Sequence, residues 1–203
     1  MTTRGRLVAF EGGEGCGKST QARLLADDLG AVLTFEPGGT PLGAAIRSLV
    51  LDPGRAVDVR AEALLMAADR AQHVADVIRP ALDAGRDVVT DRFIGSSLAY
   101  QGFGRGLDVD ELALLSRWAT GGIDADVVVL LDVPADVART RLRGKPDRFE
   151  AEDAPFHARV LEGFRSLAAA APERWVVVDG TAPVDDVHTA VAAGVRARLG
   201  GRA

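Results

Sequence analysis

The sequence has little or none of several residue types, and each shortage excludes a class of site. Cys16 is the single cysteine in 203 residues, so an internal disulfide is excluded. One cysteine and three scattered histidines do not form a zinc-binding pattern, and we expect any metal to bind carboxylate or phosphate oxygens. The chain contains no asparagine, which excludes the Asn-Lys-x-Asp motif that reads guanine in switch GTPases.

The sequence also lacks an excess of positive charge and long apolar runs. The formal net charge is -5, which argues against a general affinity for nucleic acid or anionic membranes. No apolar run approaches the ~18 residues that a membrane helix needs. Glu11 interrupts the N-terminal apolar stretch before it could act as a signal peptide. We therefore expect a cytoplasmic protein with no membrane or nucleic-acid partner.

Short apolar runs rich in β-branched residues recur along the chain, and most are apolar throughout. Such runs are typical of strands that are buried on both faces of a parallel sheet. The predicted strands are Leu7 to Phe10, Ala31 to Phe35, Asp87 to Thr90, Asp126 to Leu131 and Trp175 to Val178.

Helical patterns alternate with these strands, which predicts an α/β fold with helices on both sides of one sheet. We predict loops over residues 52–59, 102–107 and 144–154, and no second domain. The predicted helices are Ser19 to Leu29, Pro41 to Val50, Arg60 to Ala84, Val109 to Thr120, Pro134 to Arg143, Pro155 to Ala170 and Val184 to Leu199.

The stretch FEGGEGCGKST, residues 10–20, contains the pattern G-x-x-x-x-G-K-[ST] between a predicted strand and a predicted helix. Glycines there let successive backbone N–H groups surround phosphate oxygens, while Lys18 reaches the β and γ phosphates and Ser19 binds Mg²⁺. The residues predicted to bind ATP are Gly12, Gly13, Gly15, Cys16, Gly17, Lys18, Ser19 and Thr20.

This pattern is the P-loop, and it indicates that the protein binds a nucleotide but does not indicate which reaction it catalyses. A DNA- or protein-remodelling ATPase usually needs a longer chain for its partner-binding parts, so transfer of a phosphoryl group to a small acceptor is favoured. Four further stretches are candidates for the acceptor site: FEPGGTPLGAAIR (35–47), LLMAADRAQHV (64–74), TDRFIGSSLAYQG (90–102) and the basic RTRLRGKPDRFE (139–150).

Taken in order, these stretches resemble the thymidylate kinase family, and the resemblance extends to VDGTAPVDDV near the C-terminus. It implies a three-layer P-loop fold with a five-stranded parallel sheet, a single domain over residues 1–203 and a basic lid over approximately 139–154. It also implies transfer of the γ-phosphate of ATP to dTMP with Mg²⁺, giving dTDP for dTTP synthesis, by a homodimer. Some members carry an arginine where this chain has Gly15, so the chain resembles the bacterial type, in which the lid supplies that charge.

The resemblance also assigns roles to individual side chains. Asp91 ends a predicted strand and is expected to help Ser19 hold the metal. The residues expected to act in catalysis are Lys18, Arg92, Arg143, Arg148 and Glu14. The residues expected to bind dTMP are Glu36, Pro37, Arg47, Met66, Arg70, Arg92, Ser97, Tyr100 and Gln101.

Met66 departs from the family pattern, because members commonly place an aromatic residue there to stack on thymine. A thioether contacts a π face with less area than a ring, so we expect weaker or less base-selective binding of dTMP. This departure leaves room for another deoxynucleotide or deoxynucleoside kinase. A nucleotide-binding protein without transferase activity is the further alternative, although Asp91, Arg92 and the basic lid count against it.

Overall fold

The computed structural model describes residues 4–142 and 144–200. Its centre is a five-stranded, all-parallel sheet in the order β2-β3-β1-β4-β5. All five predicted strands are confirmed, with ends that shift by one residue at most. The strands are β1 (Leu7–Glu11), β2 (Val32–Phe35), β3 (Val88–Asp91), β4 (Val127–Asp132) and β5 (Trp175–Asp179).

Helices cover both faces of the sheet, which confirms the predicted α/β class. One face packs against α1 and α9, and the other packs against the helices that follow β2 and β3. The helices are α1 (Lys18–Leu29), α2 (Pro41–Leu51), α3 (Val59–His73), α4 (Arg79–Asp83), α5 (Ile94–Ser97), α6 (Val109–Thr120), α7 (Ala135–Arg141), α8 (Ala154–Ala170) and α9 (Val184–Arg198), with π-helical turns at Val74–Ile78 and Leu98–Gly104. None of these helices combines the length and apolarity of a membrane-spanning segment.

Two helical predictions need correction. The helix predicted over residues 60–84 is continuous, but it contains the π turn that joins α3 to α4. The predicted loop over 102–107 begins inside the other π turn, which extends α5. Gly104 explains this difference: a Cβ atom there would lie 2.7 Å from the ring of Phe156, so the missing side chain lets the π turn pack closely on α8.

The carboxyl ends of three adjacent strands define the functional edge of the sheet. Asp91, the last residue of β3, is in register with Phe10 of β1 and Phe35 of β2. Ligands of open α/β sheets bind outside these ends. The loops that leave this edge therefore bring the P-loop, the 36–40 turn and the segment after Asp91 together.

Candidate active site

The P-loop joins β1 to α1, with Lys18 as the first helical residue. Gly17 precedes it in the left-handed region, at φ 97°, where a side chain would be strained. The Lys18 ammonium donates a 2.7 Å hydrogen bond to the carbonyl oxygen of Gly13, and this bond folds the side chain over the loop. Backbone N–H groups at the start of α1 have no side-chain cap, which leaves them free to bind an anion.

Gly15 packs directly against α7. Its φ is 72°, and a Cβ atom there would lie 2.4 Å from the carbonyl oxygen of Ala138. An arginine side chain at this position would force the loop and α7 apart. The structure therefore gives a steric reason for glycine at position 15.

Ser19 and Asp91 meet beneath the P-loop. The Ser19 hydroxyl donates a 2.5 Å hydrogen bond to Oδ2 of Asp91. The other carboxylate oxygen, Oδ1, is buried and has no hydrogen-bond partner among the described residues. Hydroxyl and carboxylate oxygens suit Mg²⁺, which usually takes its remaining ligands from water and phosphate. This pair therefore fits a magnesium ion bound together with a nucleotide.

Arg92 crosses from the end of β3 to the P-loop. Its backbone adopts φ 73°, which is uncommon for a residue other than glycine and is typical of functional turns. Its guanidinium lies 2.5 Å from Oε1 of Glu14 and donates to the Gly12 carbonyl at 3.2 Å and the Ser96 hydroxyl at 3.0 Å. The Tyr100 hydroxyl donates to the same Glu14 oxygen at 3.1 Å. Arg92 is thereby fixed between the P-loop and the π turn.

Glu14 is ionised in this arrangement. Burial raises the pKa of its carboxyl, but the charges of Arg92 and Lys18 outweigh burial and lower the pKa to about 2. A permanently negative Glu14 holds Arg92 in place and can accept a hydrogen bond from a substrate hydroxyl.

A cavity, here called the inner cavity, lies between α2, α3 and the π turn at 98–104. Arg70 is almost fully buried at one end of this cavity. Its guanidinium group donates hydrogen bonds to Glu36 at 2.9 Å, to the Phe93 carbonyl oxygen at 2.9 Å and to Ser97 at 3.1 Å. All nine residues predicted to bind dTMP line this cavity: Glu36, Pro37, Arg47, Met66, Arg70, Arg92, Ser97, Tyr100 and Gln101.

A second cavity, the P-loop cavity, opens beside α1. Of the residues predicted to bind ATP and metal, it is lined by Gly15, Gly17, Lys18, Ser19, Thr20 and Asp91. Cys16 is instead buried, with its sulfur 3.5 Å from the Lys18 ammonium, which is consistent with a side chain that fills the turn. The P-loop and inner cavities share four charged residues in their walls: Glu14, Glu36, Arg47 and Arg92. Two ligands bound in the two cavities would therefore meet at this charged wall.

Comparison with known proteins gives the family. The thymidylate kinase family model matches residues 10–191. The chain belongs to the thymidylate kinase family. It is 50% identical to the thymidylate kinase of Leifsonia xyli subsp. xyli over 98% of this chain and 96% of that protein, and 45% identical to that of Deinococcus radiodurans over 97% and 98%. The crystal structure of the Ehrlichia chaffeensis thymidylate kinase superimposes with a TM-score of 0.77 at 32% identity, over 97% of this chain and 99% of that one.

Of the two lid arginines predicted to act in catalysis in this thymidylate kinase family member, the structure describes Arg148 alone. Arg143 lies outside the described residues. Arg148 lies 2.7 Å from the buried carboxylate of Glu62 and donates to the Val50 carbonyl at 2.7 Å, so it does not line the P-loop cavity. This position does not support the predicted role of Arg148 at the transferred phosphate, because a buried ion pair would have to break first.

Several residues around the site were not predicted, because nothing in the sequence distinguishes them from other charged residues. Arg141 lines the P-loop cavity and donates to the Gly180 carbonyl at 2.9 Å, yet in the sequence it is one of several arginines in a basic segment. Glu11 is fully buried and accepts hydrogen bonds from the backbone of Phe93 and Ser96, which orients the start of α5. Asp69 lines the inner cavity beside Arg70. Their partners come from distant parts of the chain and become visible only in the fold.

Proposed function

We propose that the chain catalyses ATP-dependent phosphorylation of dTMP to dTDP, with ATP in the P-loop cavity and dTMP in the inner cavity. The observation that carries this assignment is the charged wall that the two cavities share. Phosphoryl transfer needs the two phosphate groups in line and in contact, and two cavities with a common wall supply that geometry.

Arg92 is suited to the acceptor phosphate. Its guanidinium is held on both sides by Glu14 and Ser96, so it can offer its donors without losing conformational entropy on binding. An oxygen of the dTMP phosphate attacks the γ-phosphorus of ATP, the bond from that phosphorus to the β–γ bridging oxygen breaks, and ADP leaves. Lys18 and Arg92 stabilise the negative charge on either side of the transferred group. The acceptor oxygen is already anionic near neutral pH, so no general base is needed.

Glu14 and Tyr100 are suited to the sugar of dTMP. The Glu14 carboxylate lies on the wall between the cavities and can accept from the 3′-hydroxyl. The Tyr100 ring lies under the Arg92 guanidinium at 5.0 Å and is fixed by Phe149, Phe156 and Phe164. A ring held this rigidly leaves little room for a ribose 2′-hydroxyl, which favours deoxynucleotides.

Magnesium is the expected cofactor. Ser19 and Asp91 would hold it, since the Oδ1 oxygen of Asp91 is buried without a described partner. When bound, Mg²⁺ neutralises charge on the β and γ phosphates of ATP. Lid arginines are expected to add positive charge on the remaining side, and Arg143 is the residue proposed for this role.

We also propose that the protein is a cytoplasmic homodimer. Large apolar side chains are exposed on the outer faces of α3 and α6: Leu64 is 59% exposed, Leu114 69% and Trp118 81%. Such a cluster on helices that pack together supports a protein contact. Light scattering coupled to size exclusion tests the dimer, and Trp118→Glu should shift it toward monomer.

Measurement of ADP formation tests the proposed reaction. ATP and Mg²⁺ are supplied with dTMP, dUMP, dCMP, dGMP or UMP, with no acceptor as the control. We expect strong stimulation by dTMP and very little turnover without an acceptor. Absence of stimulation by every acceptor would remove the kinase assignment, whereas equal use of dTMP and dUMP would show that the pocket does not read the thymine methyl group.

A further inference from the structure

A buried polar cluster lies behind the inner cavity and contacts the side chain expected to face the base. Gln101 lines the cavity and is only 1% exposed, and its amide nitrogen donates a 2.8 Å hydrogen bond to Oε1 of Glu62. Glu62 is fully buried, and its other carboxylate oxygen, Oε2, lies 2.7 Å from Nη1 of Arg148 and 3.2 Å from Nη2 of Arg105. Nε of Arg105 also donates to Oε1, over the longer distance of 3.4 Å. Glu62 is thus held between one amide and two guanidinium groups.

The chemistry of these groups fixes the direction of the Gln101 amide. A carboxylate only accepts hydrogen bonds, so the Gln101 NH₂ group must point toward Glu62. Turning the amide over would place two oxygen atoms in contact at this short distance and leave a buried acceptor without its donor. The carbonyl oxygen of Gln101 therefore points away from Glu62, and none of the described residues donates a hydrogen bond to it.

We propose that Glu62 is a positioning residue that determines base specificity, because it fixes Gln101 so that a carbonyl oxygen faces the base. This inference rests on the proposed placement of dTMP in the inner cavity. Thymine and uracil carry an N3–H donor, which a carbonyl oxygen accepts. Cytosine presents an unprotonated N3 acceptor, which the same oxygen repels. Selection against cytosine therefore depends on a residue that lies behind the one that reads the base.

Because Arg148 and Arg105 contact Glu62, the single substitution Glu62→Gln is expected to reverse the orientation of the Gln101 amide. The guanidinium groups of these arginines only donate, and both short distances, 2.7 and 3.2 Å, are to Oε2, whereas Oε1 has only the longer 3.4 Å contact with Nε of Arg105. In Glu62→Gln we therefore expect the new amide to keep its carbonyl oxygen at the position of Oε2. Its NH₂ group would then occupy the position of Oε1, facing Gln101. Gln101 would have to present its own carbonyl to that NH₂ group and turn its NH₂ group toward the base. The variant therefore reverses the hydrogen-bonding character of the pocket with almost no change of shape.

Steady-state assays with dTMP and dCMP test the proposal. We expect Glu62→Gln to lower the ratio of kcat/KM for dTMP to that for dCMP by at least ~10-fold. Glu152→Gln is the matched control, because Glu152 pairs with Arg105 on its other side, at 2.5 Å, and does not contact Gln101. We expect the control to keep the ratio within about twofold. Equal losses with both nucleotides in Glu62→Gln would show a merely structural role and overturn the proposal.

An independent measurement on the unaltered protein covers the case in which Glu62→Gln does not fold. A dTMP analogue methylated at N3 lacks the donor that the Gln101 carbonyl would accept. We expect it to compete with dTMP at least ~10-fold more weakly than dUMP does. Competition as strong as that of dUMP would exclude a carbonyl that reads N3–H. Absence of any activity with dTMP would instead contradict the proposed function and not this inference alone.

Discussion

At the scale of the residue, Lys18 is the side chain on which phosphate transfer most depends. Its ammonium lies over the P-loop, where it donates a 2.7 Å hydrogen bond to the carbonyl oxygen of Gly13. We expect Lys18→Ala to lower kcat by at least ~100-fold, because a charge placed in advance for the transition state is lost. Arg23→Ala, on the exposed side of the same helix, is the control. Near-normal turnover of Lys18→Ala would contradict the phosphate-site assignment.

Met66 occupies the position at which the family resemblance predicts an aromatic residue. It is partly buried and packs against the cluster that contains Tyr100 and Phe149, and it also lines the inner cavity. We expect Met66→Phe to raise kcat/KM for dTMP by about 2–10-fold, since a ring that stacks on the base contributes roughly 0.5–1.5 kcal/mol. Met66→Leu controls for a change of apolar volume. Equal effects of phenylalanine and leucine would assign Met66 to the core alone.

At the scale of the element, the basic lid segment contains arginines for which we expect two different roles, one structural and one catalytic, although the sequence does not distinguish them. Arg148 is tied to Glu62 and Val50, so we expect Arg148→Gln to lower the free energy of unfolding by about 1–3 kcal/mol, through a buried carboxylate that loses a partner. Urea denaturation measures this loss. We expect Arg143→Gln to lower kcat by ~10³ or more with little loss of stability, as for an arginine that stabilises the transition state. The reverse pattern would return the catalytic role to Arg148.

The sequence was informative about elements wherever one local pattern determined the structure. Five apolar runs predicted five strands because neighbouring residues of a strand are buried on opposite faces of the sheet, as Val8 is on one face and Ala9 on the other. The P-loop was predictable because its spaced glycines are typical of one backbone conformation, that of a phosphate-binding loop. The helical turn at 98–104 was missed, since its glycines suggest a loop until Phe156 is seen to pack against Gly104. Local patterns do not contain such contacts.

The candidate site was predictable to a similar extent and for a similar reason. Side chains that face the cavity, such as Arg70 and Gln101, lie in segments whose residue order identifies the family. The groups behind these side chains do not lie in such segments. In the sequence, Glu62 is one more charged residue near the start of a helix, and only the fold brings Arg105 and Arg148 to it, from 43 and 86 positions away. Sequence reasoning therefore finds the residues that line the cavity more readily than those that lie behind them.

At the scale of the whole molecule, the buried charges of the inner cavity affect stability. Asp69 is 1% exposed and accepts a 3.0 Å hydrogen bond from the backbone N–H of Gly38. Burial and the neighbouring Glu36 raise its pKa from 3.8 to about 6. An acid whose pKa rises on folding binds its proton more tightly in the folded state. The titration of Asp69 therefore lowers the stability of the folded protein as the pH increases from about 4 to about 6, and this contribution is constant above that range.

Asp69→Asn removes this titration while it keeps an oxygen for the Gly38 N–H. We expect the variant to be more stable than the parent by at most about 3 kcal/mol at pH 8, where the buried carboxylate is charged, and by much less near pH 4. Urea denaturation across this pH range measures the difference, with Asp83→Asn at the exposed C-terminal end of α4 as the control. A stability difference that does not change with pH would show that Asp69 does not titrate in this window. If the difference follows the predicted curve, part of the stability of the fold is given up to keep an acidic group beside Arg70 in the cavity.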